Sequence, residues 1–297
     1  MKQVLMLLVS LSIFSSSMLK AGEERLVHEG RTLIGHLELA DGKALSDGVI
    51  LMTHGTLAHG RMEIMSTLQR LFKQTGLNSL SITLSLDQNE RRQMYDCKAR
   101  HTHQHTDAMT EIGLWLDWLK RRDSGPVVLL GHSRGGNQTA WFASEHGNDL
   151  VSKVILIAPA TWDAGEVAQS YQNRYKKPLA DVYRRAQKLV ENGKGDTLLQ
   201  GVDFIYCEDT SVSAEAFVSY YQDDERKHTP HLLNKINKPT LVFAGSEDTV
   251  VTGLTEAVQS MADGEQIRLS VIEGADHFFR DLYAEDMVDE IVEFLGN

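Results

Sequence analysis

The sequence predicts an α/β fold, with a mostly parallel central sheet, helices on both faces and one inserted helical segment. Short apolar runs alternate with longer stretches of helical spacing, the rhythm of strand–helix–strand units. The runs are nearly all apolar rather than alternating, which suits strands buried on both faces. The rhythm stops at about residue 161 and resumes at about 238, which marks an insertion between two parts of one core.

Leu33 to Leu39 reads as an early strand, and Gly48 to Thr53 (GVILMT) as a compact β-rich run ending at His54-Gly55. Further strands are expected at Leu77 to Leu86, Pro126 to Leu130 (PVVLL), Val154 to Ile157, Thr240 to Phe243 and Ile267 to Ile272. Between them, Arg61 to Lys73 places Met62, Met65, Leu68, Leu71 and Phe72 at helical spacing. Thr106 to Lys120 does the same with Met109, Ile112, Leu116 and Leu119, and Asp107 stands near its start. Asn137 to Glu145 and Ala284 to Leu295 read as two more helices. The segment 161–237 is polar, tyrosine-bearing and largely helical in pattern, with no clear buried strand. The expected organisation is thus a core of residues 22–160 and 238–297, with 161–237 as a helical cap over one end of the sheet.

With 297 residues, 42% of them hydrophobic and 24% charged, the chain is ordinary for a soluble globular protein and long enough to bury a sizeable core. Its net charge of -11, from 30 basic and 41 acidic residues, argues against a nucleic-acid partner, whose phosphates would be repelled. The first 21 residues have the layout of a secretory signal peptide: Lys2, an apolar run from Val4 to Phe14, three serines and the small Ala21. The run is too short to span a bilayer, so no stable membrane span is expected after cleavage, and the mature chain is expected in the periplasm or outside the cell. Export would place its two cysteines, Cys97 and Cys207, in an oxidising compartment, where a disulfide between them is expected.

The chemistry centres on Gly131-His132-Ser133-Arg134-Gly135, which follows PVVLL and precedes a helical pattern. A G-x-S-x-G between strand and helix is a nucleophile elbow, a tight turn that projects the serine hydroxyl above the sheet. A hydroxyl needs a base, and the base needs a carboxylate to orient it; in this arrangement the chain order is serine, acid, histidine. Asp248 follows the strand at Thr240 to Phe243 and is the expected acid, with Glu247 beside it read as a loop residue. His277 follows the strand at Ile267 to Ile272 and is the expected base, with Asp276 read as a turn residue. Oxyanion donors are expected from the backbone N–H of Arg134 and from the loop after GVILMT, with Thr56 the first choice and Leu57 the second. The Arg134 side chain is expected to pair within the protein rather than face the substrate.

These four motifs, HGT at His54 to Thr56, GHSRGG at Gly131 to Gly136, GSED at Gly245 to Asp248 and GADHFF at Gly274 to Phe279, resemble the α/β-hydrolase superfamily. The similarity is to its esterase, lipase and serine-aminopeptidase-like members. The resemblance implies an eight-stranded sheet, hydrolysis of a small-molecule ester or thioester through an acyl-enzyme, and neither metal nor organic cofactor. A peptidase or an acyltransferase would use the same three residues, and a non-catalytic relative would act as a binding protein. One stretch departs from the pattern. Many relatives carry D-x-R-G-x-G after the strand at Leu77 to Leu86, where this chain has a polar run from Asp87 to Cys97. That run leads into His101, His103 and His105, read here as a polar loop with one or two histidines at a pocket rim.

Overall fold

The computed structural model describes residues 21–296, so the expected signal peptide lies outside the described residues except for its last position. In chain order the first half contains β1 (Gly22–His28), β2 (Arg31–Glu38), β3 (Val49–Thr53), α1 (Glu63–Gln74), β4 (Ser79–Thr83), β5 (Arg100–His101), α2 (Asp107–Lys120), β6 (Val127–His132), α3 (Arg134–Glu145) and β7 (Val151–Ile157). The second half contains α4 (Ala164–Tyr175), α5 (Leu179–Glu191), β8 (Leu198–Phe204), β9 (Cys207–Ser213), α6 (Ala214–Tyr221), α7 (Pro230–Leu233), β10 (Thr240–Gly245), α8 (Leu254–Gln259), β11 (Ile267–Ile272) and α9 (Leu282–Gly296).

Eight strands form the main sheet in the order β1-β2-β4-β3-β6-β7-β10-β11. The six from β4 to β11 run parallel, while β1 and β2 pair antiparallel at one edge. Successive side chains of a strand point to opposite faces, and β3 shows the consequence. Val49 and Leu51 enter a core with Trp115, Leu116 and Leu119 of α2, and Ile50 and Met52 enter a second core with Met65 and Leu68 of α1 and Ile291 of α9. Both faces are therefore buried, which is why the central strands read as unbroken apolar runs.

The connections place the site. From β3 the chain moves one way to β4, then crosses back over β3 to β6 on its other side. The loops after β3 and β6 diverge there and leave a crevice at the carboxyl ends of the strands, the position where open α/β sheets take ligands.

Several elements are absent from the sequence reading: β1, β5, α8 and the strands β8 and β9. The strand β1 was not foreseen because GEERLVH holds only two large apolar residues and alternates between half-buried and exposed positions, as a solvated edge strand does. The insertion 161–237, expected to be helical, also contains the antiparallel hairpin β8–β9. Its strands, LLQGVDF and CEDTSVS, are mostly polar on their exposed side, so no apolar run announces them. Its turn lacks the usual glycine or asparagine: Ile205 takes φ 55°, held by the Tyr221 hydroxyl accepting from its N–H at 2.8 Å and the Tyr175 hydroxyl donating to its carbonyl at 2.6 Å. The hairpin packs Phe204 and Val212 with Tyr171, Phe217 and Tyr220 into a core of its own.

This insertion is tied back twice to the segment after β4. The strand β5 pairs with β9, Arg100 opposite Ser211 and His101 opposite Val212. Cys97 and Cys207 form a disulfide across 110 residues of chain, their Cα atoms 5.2 Å apart. Among the described residues no helix is long and apolar enough to cross a membrane. A Cys97→Ser/Cys207→Ser chain should lose roughly 2–5 kcal/mol of stability, the effect of reopening a long loop in the unfolded state. Denaturant unfolding with and without reductant checks this: reductant should lower the midpoint of the wild-type chain and leave that of the double variant unchanged.

Candidate active site

Ser133 stands between β6 and α3 with φ 57° and ψ -125°, a conformation that costs a non-glycine residue on the order of 1–3 kcal/mol. Neighbouring backbone holds it there: its N–H donates to the Ile157 carbonyl at 2.9 Å, and its carbonyl accepts from Ala160 at 3.0 Å and Asn137 at 3.2 Å. The turn is possible only because its flanks carry no side chain. A Cβ on Gly131 would lie 2.4 Å from the Gly135 carbonyl oxygen, and a Cβ on Gly135 would lie 2.2 Å from that of His54. The second approach presses the loop after β3 against the turn. α3 begins at Arg134, so the positive end of its backbone dipole lies at the serine.

His277 and Asp248, expected as base and acid from separate strands, meet: Nδ1 of His277 is 2.8 Å from Oδ2 of Asp248, with the two side chains only 6% and 4% exposed. The other oxygen of Asp248 accepts from the N–H groups of Val250 at 2.7 Å and Val251 at 2.9 Å. Burial pushes this carboxyl up, but the bond from His277 and the two backbone donors outweigh it and leave it below the usual carboxylate range. An ionised Asp248 only accepts, so Nδ1 of His277 carries the proton and Nε2 is left with its lone pair. The His277 carbonyl accepts from Nε2 of His132 at 2.9 Å, so the residue just before the serine braces the histidine's loop. Ser133, His277 and His132 line one cavity of about 650 Å³. Glu247 is exposed, and Asp276 accepts from Phe278 N–H at 2.9 Å and Arg280 at 2.7 Å, so both are loop residues, as expected.

The loop after β3 rests on a buried polar network. Nδ1 of His54 donates to the Gly55 carbonyl at 2.8 Å, because its Nε2 already accepts from the Leu84 N–H at 3.0 Å and from Arg91 at 3.1 Å. Burial, reinforced by Arg91, holds His54 neutral, far below the usual histidine range. Arg91 also donates to the carbonyls of Leu84 at 2.8 Å and Gln93 at 2.6 Å. Next to Leu84, Ser85 donates its N–H and hydroxyl to the buried Glu111 carboxyl. The polar stretch from Asp87 that departs from the family pattern therefore supplies Arg91, the side chain that fastens the loop bearing Thr56. Gly55 and Thr56 line the cavity beside Ser133 and Arg134.

The histidine run is a correction. His101, His103 and His105 are all buried rather than set at a rim, and of the three only His105 lines the cavity. Nδ1 of His103 contacts the Tyr220 hydroxyl at 2.8 Å, its Nε2 lies 3.3 Å from Nδ1 of His101, and Tyr95 and Phe204 surround the pair. Burial lowers His101 to about 4 and His103 to about 3. They lie inside because β5 pairs with a hairpin that the sequence pattern did not reveal. His105 accepts from Arg134 at 3.4 Å through Nδ1 and donates to Asn137 at 3.0 Å through Nε2. Among the described residues no group of three His, Cys, Asp or Glu side chains converges as a metal site would require.

Arg134 donates to the Thr56 hydroxyl at 2.9 Å and stacks over Tyr220 at 5.2 Å, so it pairs within the protein as expected, yet it also lines the cavity. Lys227 was not foreseen at all. It comes from the run DDERKH, which reads as a solvated surface, yet it is 3% exposed and lines the same cavity. No pattern in the sequence could have singled it out.

Glu111 gives this network a measurable pH signature. Burial pushes its carboxyl up to about 7 from an ordinary 4.5, so between those values the folded chain holds a proton that the unfolded chain has lost. Its contribution to stability is therefore full below pH 4.5, falls as pH rises and is gone above about 7. Comparing denaturant unfolding of wild-type and Glu111→Gln at pH 5 and pH 7.5 isolates it. The wild-type chain should lose on the order of 3 kcal/mol more than the variant over that interval.

Solved structures share this fold. The chain is similar to Est1E from Butyrivibrio proteoclasticus at 16% identity and a TM-score of 0.62, over 93% of this chain and 100% of that one. It is similar to a monoacylglycerol lipase from Paleococcus ferrophilus at 18% identity and a TM-score of 0.58, over 89% and 98%. An esterase from Pyrococcus furiosus gives 17% identity and a TM-score of 0.62, over 93% and 91%. No curated protein matches the sequence significantly. The family model described as serine aminopeptidase, S33, matches residues 46–280, which takes in the site loops and the insertion alike. With its mostly parallel eight-stranded sheet and that match, the chain belongs to the S33 serine aminopeptidase family of the α/β-hydrolases.

Proposed function

We propose that this chain is a serine hydrolase that cleaves carboxylic esters through an acyl-enzyme on Ser133. The observation that carries the reading is the strained Ser133 turn opening on the same cavity as a His277 whose Nδ1 is bonded to a buried carboxylate. The Ser133 hydroxyl attacks the ester carbonyl while His277 takes its proton through Nε2. The resulting oxyanion is met by the backbone N–H groups of Arg134 and Thr56. The protonated His277, stabilised by Asp248, gives its proton to the leaving alcohol as the C–O bond breaks. Water enters, loses its proton to His277, and attacks the acyl carbon; the carboxylic acid leaves and Ser133 recovers its proton.

Esters are favoured over peptides by the company the fold keeps, since Est1E has been solved with ferulic acid bound and other similar structures are an esterase and a lipase. Residues 161–237 supply much of the cavity wall, including Trp162, Tyr171 and Tyr220, and act as a cap over the serine. The Cys97–Cys207 disulfide fits an exported protein, in keeping with the signal-peptide layout of the first 21 residues.

A fluorophosphonate probe should label the wild-type chain at Ser133. Ser133→Ala should keep the wild-type melting temperature, take no label and lose at least about 10³-fold in turnover of 4-nitrophenyl esters. Asp248→Asn should keep the fold and lose on the order of 10³–10⁴-fold, because it upsets the histidine tautomer. A folded wild-type chain that neither labels nor turns over esters would refute the assignment.

A further inference from the structure

The sign of the charge changes at the cavity. The chain carries a net charge of -11, yet the cavity lining contains three cations, Arg134, Arg174 and Lys227, and no aspartate or glutamate. Among the described residues none of the three is within ion-pair distance of a carboxylate. Arg174 stands at the mouth, stacked on Tyr206 at 4.8 Å. Arg134 and Lys227 lie deeper and share one neighbour: the guanidinium stacks on the Tyr220 ring, and Nζ of Lys227 donates to the Tyr220 carbonyl at 3.2 Å.

Lys227 is the informative group. Its Nζ donates to two carbonyls, Tyr220 and Gln222, the latter at 2.7 Å, and lies 4.5 Å over the Trp162 ring; in the protonated form it carries a third N–H. The two carboxylates in its surroundings are engaged elsewhere, Asp224 with Arg226 at 2.7 Å and Asp223 with the Trp162 indole at 3.0 Å. Burial, and after it Arg134, pulls Lys227 down to about 7, the mark of a cation whose counter-charge is missing. A buried charge without a partner is costly, and a methionine would fill the same space without that cost. Two cations without a carboxylate partner in the cavity that Ser133 lines make sense if the ligand brings the negative charge.

We infer that the substrate is an ester bearing a carboxylate near the scissile bond, bound by Arg134 and Lys227 within aromatic walls. This deepens the hydrolase reading and rests on it. The test compares kcat/KM within two matched pairs, one with the charge on the acyl side and one with it on the alcohol side. The first is 4-nitrophenyl hydrogen adipate against its methyl ester; the second is 4-acetoxybenzoate against its methyl ester. A hydrogen bond to a charged group is worth about 1.5–3 kcal/mol, so the free acid should be favoured by about tenfold or more in at least one pair. That advantage should fall to about threefold or less in Arg134→Gln and in Lys227→Met, each checked for folding by thermal melting. If Lys227→Met does not fold, Arg134→Gln alone decides the outcome. Neither pair reaching about tenfold, or an advantage that survives substitution, overturns this inference while hydrolysis of the neutral esters leaves the hydrolase reading intact. Absence of both hydrolysis and fluorophosphonate labelling overturns that reading and this inference with it.

Discussion

Ser133 sits in a backbone conformation that it would not adopt alone, and much of the architecture around it serves to impose that conformation. The turn is wedged between the end of β6 and the start of α3, the former a strand with both neighbours in place and the latter a helix with its core face buried. Strain of about 1–3 kcal/mol persists only where the surroundings over-determine it. Here they do so through three backbone hydrogen bonds on Ser133 and through side-chain-free contacts from Gly131 to Gly135 and from Gly135 to His54. The second contact joins the two strand-end loops that the sheet order sets on either side of the crevice. The same tight packing that holds Ser133 thus positions the loop that faces it.

The remaining parts of the site lie on loops, and loops have few ladder hydrogen bonds to hold them. Buried polar side chains take that role. His54, Arg91, Glu111 and His132 connect loop backbones to one another, and their contacts leave few polar atoms unmatched. Burial keeps the histidines neutral, so each has one donor and one acceptor nitrogen; at His54 this fits its partners on both sides. The insertion belongs to the same system. His105 meets Ser219 and Asn137 at once, β5 joins the hairpin, and the disulfide closes the connection beside Arg91's loop. The cavity walls from core and insertion are therefore fastened to each other at several points.

The core was legible because its signals are local. A strand buried on both faces must be apolar along its length, and a helix on that sheet must repeat its apolar residues every three or four positions. The placement of Ser133, Asp248 and His277 at strand ends, in that order, was legible for the same reason, since each follows a recognisable apolar run. What local pattern could not reveal were elements whose burial comes from distant partners. β1 and the β8–β9 hairpin are polar on one side and owe their existence to pairing. His101 and His103 are buried by a hairpin far along the chain that pairs with β5, and Lys227 by carbonyls and an indole ring brought together only in the folded chain.

By itself, then, the sequence determined the parallel strands of the sheet, the turn at Ser133 and the identities of the residues placed around it, because those follow from side-chain periodicity and from turns that only glycine flanks allow. The tertiary structure alone decided the bond between His277 and Asp248, the burial of the histidine run and the positive lining of a cavity in an acidic protein. A charge or an imidazole carries no mark in the sequence of whether it will meet water or protein. That depends on which remote segments cover it, and here they cover Lys227 and the histidines while leaving one end of the cavity open at Arg174.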